Sequence, residues 1–152
     1  MDKYLTPTTV DDITYIAPRL RTADHQECLA ATGREPLGVL MESLEIGAKT
    51  LTMRSPTGQR VGLLGVVQSP IPEAGAIWLC ATDDIYQWQM TFLRQSKLVL
   101  PKLQANYLAL YNYVDARNTV HLKWLKWMGF TFINKHEHFG VEQRLFYEFV
   151  RI

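Results

Sequence analysis

The segment from Ala76 to Val114 constrains the fold more than any other part of the chain. Ala76-Ile77-Trp78-Leu79-Cys80-Ala81-Thr82 is an unbroken run of strand length that reads as a buried strand, and Asp83-Asp84 stops it. When the next residues are placed at steps of about 100°, Ile85, Trp88, Phe92, Leu93, Val99, Leu100 and Leu103 fall on one stripe, with Arg94 opposite. This is an amphipathic helix, started by two carboxylates set against the positive end of its dipole. Pro101 lies towards the exposed face and is expected to kink the last turn. Residues 107–114, Tyr-Leu-Ala-Leu-Tyr-Asn-Tyr-Val, return to an aromatic-rich strand.

The flanking regions read in the same way. Residues 3–6 form a short strand, and Thr8 or Thr9 ahead of Asp11-Asp12 starts a helix. Helical pieces run to about Gly47, and the interruptions at Gly33 and Pro36 predict two or three short helices in place of one long one. Residues 49–54, the turn Ser55-Pro56-Thr57-Gly58 and residues 60–68 make an antiparallel hairpin. Asn118 is expected to cap a second helix whose stripe holds Val120, Trp124, Trp127 and Met128, closed by Gly129 in a left-handed cap. Two strands, about 130–137 and 142–150, follow around a turn near Phe139-Gly140. The expected order is β, helices, ββ, β, α, β, α, ββ.

With 152 residues, 47% of them hydrophobic, and no linker or repeat, the chain is read as one domain, 1–152. A formal net charge of +1 argues against a general affinity for nucleic acid or anionic membrane. No stretch approaches the roughly 20 apolar residues that span a bilayer, and the first residues lack the pattern of a signal peptide. Cys28 and Cys80 match neither a disulfide framework nor zinc-ligand spacing, which fits a reducing compartment. His136 and His138 share a strand face without a third ligand, so no metal site is expected.

The order of elements, together with Asp115-Ala116-Arg117-Asn118 running through a helix into Gly129-Phe130, resembles the GCN5-related N-acetyltransferase (GNAT) superfamily. More narrowly, Leu110-Tyr111-Asn112-Tyr113-Val114 ahead of the Asn-Thr-x-His segment is similar to the GNAT-like proteins of short-tailed bacteriophages, a group that includes the internal virion protein A family. The resemblance implies an α/β (α+β) fold with a central mixed, mostly antiparallel sheet of about six to seven strands flanked by helices. It also implies acetyl-CoA as cofactor, with Asn118 beside the pantetheine arm and the backbone of Cys80, Ala81 and Thr82 along the thioester. Two positions depart from the family pattern. The glycine-rich loop that cradles the pyrophosphate is replaced by Thr82-Asp83-Asp84, and the tyrosine that protonates the leaving thiolate is replaced by Leu125.

Among candidate catalytic residues, Asp83 reads as a general base or as a helix cap. Tyr111 and Tyr113 share one strand face, and either, Tyr113 foremost, reads as an acid in place of the missing tyrosine or as ordinary sheet packing. His121 reads as a catalytic histidine or as a core histidine bonded to backbone. Two functions follow. One is an acetyl-CoA-dependent N-acetyltransferase acting on an amine of a small molecule or a host protein. The other is a GNAT scaffold without chemistry, serving as a phage protein that binds a host bacterial protein or is packaged in the virion. Either places the chain in the cytoplasm of an infected bacterium, or in the particle.

Overall fold

Alternation along one strand sets the layers of the molecule. In the computed structural model, which describes residues 4–46 and 49–152, the strand Ala74–Ala81 sends Ile77, Leu79 and Ala81 into one core and Cys80, with Trp78 packed beside it, into a second core on the other face. A strand buried on both faces needs helices on both sides, and the chain supplies them. In chain order the elements are β1 (Leu5–Pro7), α1 (Val10–Ile16), α2 (Thr22–Thr32), α3 (Pro36–Glu45), β2 (Lys49–Arg54), β3 (Arg60–Gln68), β4 (Ala74–Ala81), α4 (Gln89–Gln104), β5 (Ala109–Asp115), α5 (Thr119–Trp127), β6 (Thr131–Phe139) and β7 (Arg144–Arg151).

The seven strands form one sheet in the order β1-β2-β3-β4-β5-β7-β6. Every neighbouring pair is antiparallel except β4 and β5, which run parallel and stay in register only from Ala74 opposite Ala109 to Ala76 opposite Tyr111. Beyond that point the two strands diverge. Asn112 bridges the start of the gap, its side-chain amide donating to the Ile77 carbonyl at 2.8 Å. Helices α4 and α5 cover one face, where Phe92 meets Trp124 edge-on with ring centroids 4.8 Å apart. Helices α1 and α3 cover the other through Ile13, Ile16 and Leu40.

Helix α1 begins with a reciprocal cap: the Thr9 hydroxyl accepts from the Asp12 N–H at 3.2 Å, and the Asp12 carboxylate accepts from the Thr9 N–H at 3.0 Å. The same carboxylate, fully buried, also accepts from Thr52 at 2.9 Å, Arg54 at 3.1 Å and Arg60 at 2.5 Å, so it fastens α1 to the β2–β3 hairpin. Burial alone would raise its pKa; the bonds from Arg60, Thr9 and Thr52 and the charge of Arg54 outweigh that and hold it below its ordinary value.

The mixed, mostly antiparallel sheet flanked by helices matches the expected fold class, with three local differences. Asp83-Asp84 starts a 3-10 turn, Asp83–Trp88, and α4 proper begins only at Gln89. Thr82 gives no side-chain cap there, while Gln59 on the hairpin donates to Asp84 at 2.9 Å and holds the turn. Asn118 makes no side-chain cap on α5, because its amide is bonded elsewhere, to Asp24 and Arg21. On β6 a bulge between His136 and Phe139 breaks the regular alternation, and His136 pairs with Glu148 at 2.8 Å. The proposed strand start at Lys3 and the helical end at Gly47 lie outside the described residues. Among the described residues no helix is long and apolar enough to cross a membrane.

Gly65 faces Trp78 across the β3–β4 ladder so closely that a Cβ there would lie 2.4 Å from the indole. Gly65→Ala is expected to lose about 1–3 kcal/mol by overpacking, read as a lower midpoint in urea unfolding with an unchanged slope.

Candidate functional site

Where two parallel strands part, each presents backbone N–H and C=O groups that no neighbouring strand can pair, and buried peptide groups left in that state are costly. Here helix α2 fills the gap. The short stretch before it lies against the end of β4: Leu20 forms an antiparallel bridge with Thr82, and the Arg21 N–H donates to the Ala81 carbonyl at 2.8 Å. One turn later the Asp24 carboxylate accepts the Ala81 N–H at 2.9 Å. A further turn on, Glu27 accepts the Asp115 N–H of β5 at 2.8 Å. Asp24 and Glu27 are three residues apart, so they share a face of α2, and each one satisfies a different diverging strand.

The centre of this wedge is polar and almost fully buried. Arg21 and Asp24 are 3% and 4% exposed and form a two-pronged pair, with Nη2 2.7 Å from Oδ1 and Nε 3.1 Å from Oδ2. Asn118 donates to Asp24 Oδ1 at 2.9 Å and accepts from Arg21 at 3.3 Å. Arg21 also donates to the Tyr86 hydroxyl at 3.2 Å and lies 5.0 Å from the centre of the Trp124 ring. Every oxygen of Asp24 is therefore engaged.

Beside the wedge is a partly open cavity of about 300 Å³ between α2, α3 and the β4–β5 divergence, with the β6–β7 hairpin closing one side. Aromatic and aliphatic groups dominate its wall, among them Trp78, Tyr113, Phe139, Phe146 and Leu40, and among the described residues the only charged ones on it are Asp24 and Glu27. Glu27 keeps a fifth of its side chain accessible, yet burial, opposed by the bonds from the Asp115 N–H and Asn118 and reinforced by the charges of Asp24 and Asp115, pushes its pKa up to about 8. His121 stands behind it, with Nδ1 4.0 Å from Glu27 Oε2 and without a hydrogen-bond partner. Burial lowers the pKa of this histidine to about 4, so it is neutral at physiological pH.

The residues proposed from the sequence are distributed unevenly around this site. Tyr113 lines the cavity, packed against Phe139 at 4.7 Å, with its pKa raised by burial and by the charge of Glu148. His121 reaches the same neighbourhood through Glu27. Asp83 does not; it sits exposed at the start of the 3-10 turn. Of the three residues at the end of β4, only Ala81 turns its backbone towards the divergence. The Thr82 N–H bonds to Val61 of β3, and Cys80 opposes Leu63 with its thiol buried and its pKa raised by that burial. Arg21, Asp24 and Glu27 were not foreseen. The signal for them was an acidic pair at i, i+3 on a helix with little apolar periodicity, which reads as a solvated face until the strand it meets is known.

The resemblance to GNAT proteins implies acetyl-CoA, and the residues at the divergence can be set against that cofactor. Its pantetheine arm would lie along the β4 edge beside Asn118. Both peptide groups of Ala81 are already bonded, to Asp24 and Arg21, and Asn118 is tied into the same network. At the pyrophosphate position stand Asp83 and Asp84 with no glycine between Thr82 and Trp88. The residues present do not fit acetyl-CoA in this arrangement.

No family model and no curated protein matches the sequence. Solved structures do match in shape. A variant of spermidine N-acetyltransferase from Vibrio cholerae superposes with a TM-score of 0.67 at 12% identity, over 99% of this chain and 94% of its own. A ribosomal-protein-alanine N-acetyltransferase from Brucella melitensis gives 0.67 at 11% identity, over 97% and 98%. A GNAT-family acetyltransferase from Bacillus anthracis gives 0.68 at 10%, over 97% and 93%. The fold of this chain is that of the GNAT acetyltransferases, a mixed α/β fold with a seven-stranded, mostly antiparallel sheet flanked by helices.

If Asn118 were an ordinary helix cap, Asn118→Asp would be neutral, because the two residues cap equally well. Bonded to Asp24 in a buried network, Asn118→Ala is expected to cost about 1–3 kcal/mol, and Asn118→Asp at least as much, by chemical denaturation at pH 7.

Stability should also fall as pH rises towards 8. Between its unfolded value of 4.5 and about 8, the folded chain holds a proton on Glu27 that the unfolded chain has released, so folding weakens as pH climbs through that range. His121 acts in the opposite sense between about 4 and 6.5, where the unfolded chain alone is protonated. The two cancel in part below pH 6.5, leaving a decline of about 2 kcal/mol between pH 6.5 and 8. Glu27→Gln should flatten it in urea titrations run across that range.

Proposed function

We propose that this chain is an amine-binding protein on the GNAT fold, one that keeps the acceptor half of the site and fills the cofactor half with its own helix α2. The observation that carries the reading is the Asp24 carboxylate on the Ala81 N–H, opposite the Arg21 N–H on the Ala81 carbonyl. Together they occupy the strand edge on which the cofactor of a GNAT enzyme would lie. The acceptor side stays open as the cavity beside Glu27, a carboxyl without a cationic partner set in an apolar wall. Such a wall with one carboxyl that an approaching cation would ionise suits an ammonium attached to a hydrocarbon body. The structural neighbours, whose names include spermidine and protein-amine acetyltransferases, support an amine as occupant.

A second reading, amine N-acetyltransferase, is favoured by the proton-accepting group at the cavity. A carboxylate with a pKa of about 8 beside a neutral histidine is suited to removing a proton from an amine near neutrality. That reading requires Arg21 and Asp24 to leave the β4 edge before a cofactor enters.

Isothermal titration separates the two. Heat from organic amines with none from acetyl-CoA or desulfo-coenzyme A is the expected result. Micromolar binding of either coenzyme A species to the wild-type protein, with acetylated amine among the products, would overturn the first reading and establish the second.

A further inference from the structure

The charge inventory of the cavity narrows what it can hold. Of the two carboxylates on its wall, Asp24 is fully committed: Oδ1 accepts from Arg21 and Asn118, Oδ2 from Arg21 and the Ala81 N–H, and its charge is matched by the guanidinium. Glu27 is the carboxyl without a cationic partner: Oε1 takes the Asp115 N–H, Asn118 reaches its side chain, and the neutral His121 stands 4.0 Å from Oε2, so it holds its proton near neutrality while the cavity is empty and loses it when an ammonium settles beside it. Among the described residues no cation stands on the cavity wall to compete for it. A ligand can therefore have one positive charge neutralised here, and a second would be desolvated without a partner, which costs several kcal/mol.

The rest of the wall defines the ligand's body. Trp78 and Tyr113 from the sheet, Phe139 and Phe146 from the hairpin, and Val39 and Leu40 from α3 surround a space of about 300 Å³, equal to about ten water molecules at liquid density. That is the small end of the range for ligand sites. Rings with centroids 4.5–4.7 Å apart and planes tilted by 31–33°, as in the Phe139 contacts with Phe146 and Tyr113, already pack in this wall and offer similar contact to a ring entering from outside.

We propose that the cavity binds a small monoamine with an aromatic or compact apolar body, its single ammonium on Glu27 Oε2 and its ring among Trp78, Tyr113 and Phe139, and that it discriminates against polyamines. This rests on the amine-binding reading above and gives it a substrate class. It also sets this chain apart from the spermidine enzyme it resembles in shape, because a polycation needs several anions and the wall provides one.

The test is calorimetry on the full chain with three probes: 2-phenylethylamine, spermidine, and 2-phenylethanol as the uncharged counterpart of the first. 2-Phenylethylamine should bind at least about tenfold more tightly than either of the others. Glu27→Gln keeps an acceptor for the Asp115 N–H and should weaken that binding at least about tenfold, while circular dichroism reports whether the variant is folded. Ser43→Phe, on the half-buried cavity side of α3, should weaken the same ligand by filling space with no change of charge; it carries the test if the Glu27 variant fails to fold. Spermidine binding as tightly as 2-phenylethylamine overturns the monoamine assignment and leaves the amine-binding reading standing. Equal binding of 2-phenylethanol, or no binding of any amine, overturns both.

Discussion

Everything about this site follows from the parting of β4 and β5 after three paired residues. Parallel strands that diverge inside a covered sheet expose peptide groups that neither solvent nor a neighbouring strand can satisfy. A GNAT-like fold thus creates a polar slot in its own core. The slot needs an occupant, and here the occupant is part of the chain. Asp24 answers β4, Glu27 answers β5, and Arg21 neutralises the first of them and reaches across to Asn118.

Filling the slot with charged groups has consequences for both halves of the site. A buried ion pair gains little against the loss of hydration unless its remaining hydrogen-bonding positions are also met. The Arg21–Asp24 pair meets them through Asn118, Tyr86 and the backbone of Ala81, which makes the wedge a unit whose members depend on one another. Glu27 is different. Burial and the charges of Asp24 and Asp115 outweigh its bonds from the Asp115 N–H and Asn118 and raise its pKa. A group held in so unfavourable a state next to a cavity marks the place where the molecule has given up stability, and such places tend to be functional.

The comparison with solved acetyltransferases shows one fold carried by very different sequences. At 10–12% identity the overall shape matches over nearly the whole chain. Asn118 shows the point at the level of one side chain. The Asn-helix-Gly-Phe segment is in place, with Gly129 at φ 90° closing α5, yet the asparagine turns inwards to hold Asp24 instead of capping its own helix.

Local pattern was enough to determine most of the elements. The apolar run into β4, the stripe Phe92, Leu100, Leu103 on α4, the β2–β3 hairpin, the Thr9 cap and the Gly129 stop all depend on neighbours within a few residues, and periodicity records such neighbours directly. Tertiary structure alone decided the site. Asp24 lies 57 residues from Ala81 and 94 from Asn118, and Glu27 lies 88 from Asp115. Nothing in the composition of α2 distinguishes these carboxylates from solvent-facing ones. The same distance effect moved the start of α4, where Gln59 on a remote hairpin holds Asp84 in a 3-10 turn. Secondary structure is written in short-range spacing. The identity of a buried hydrogen-bond partner is set by which strand edge the fold leaves empty, and that is known only once the strands have parted.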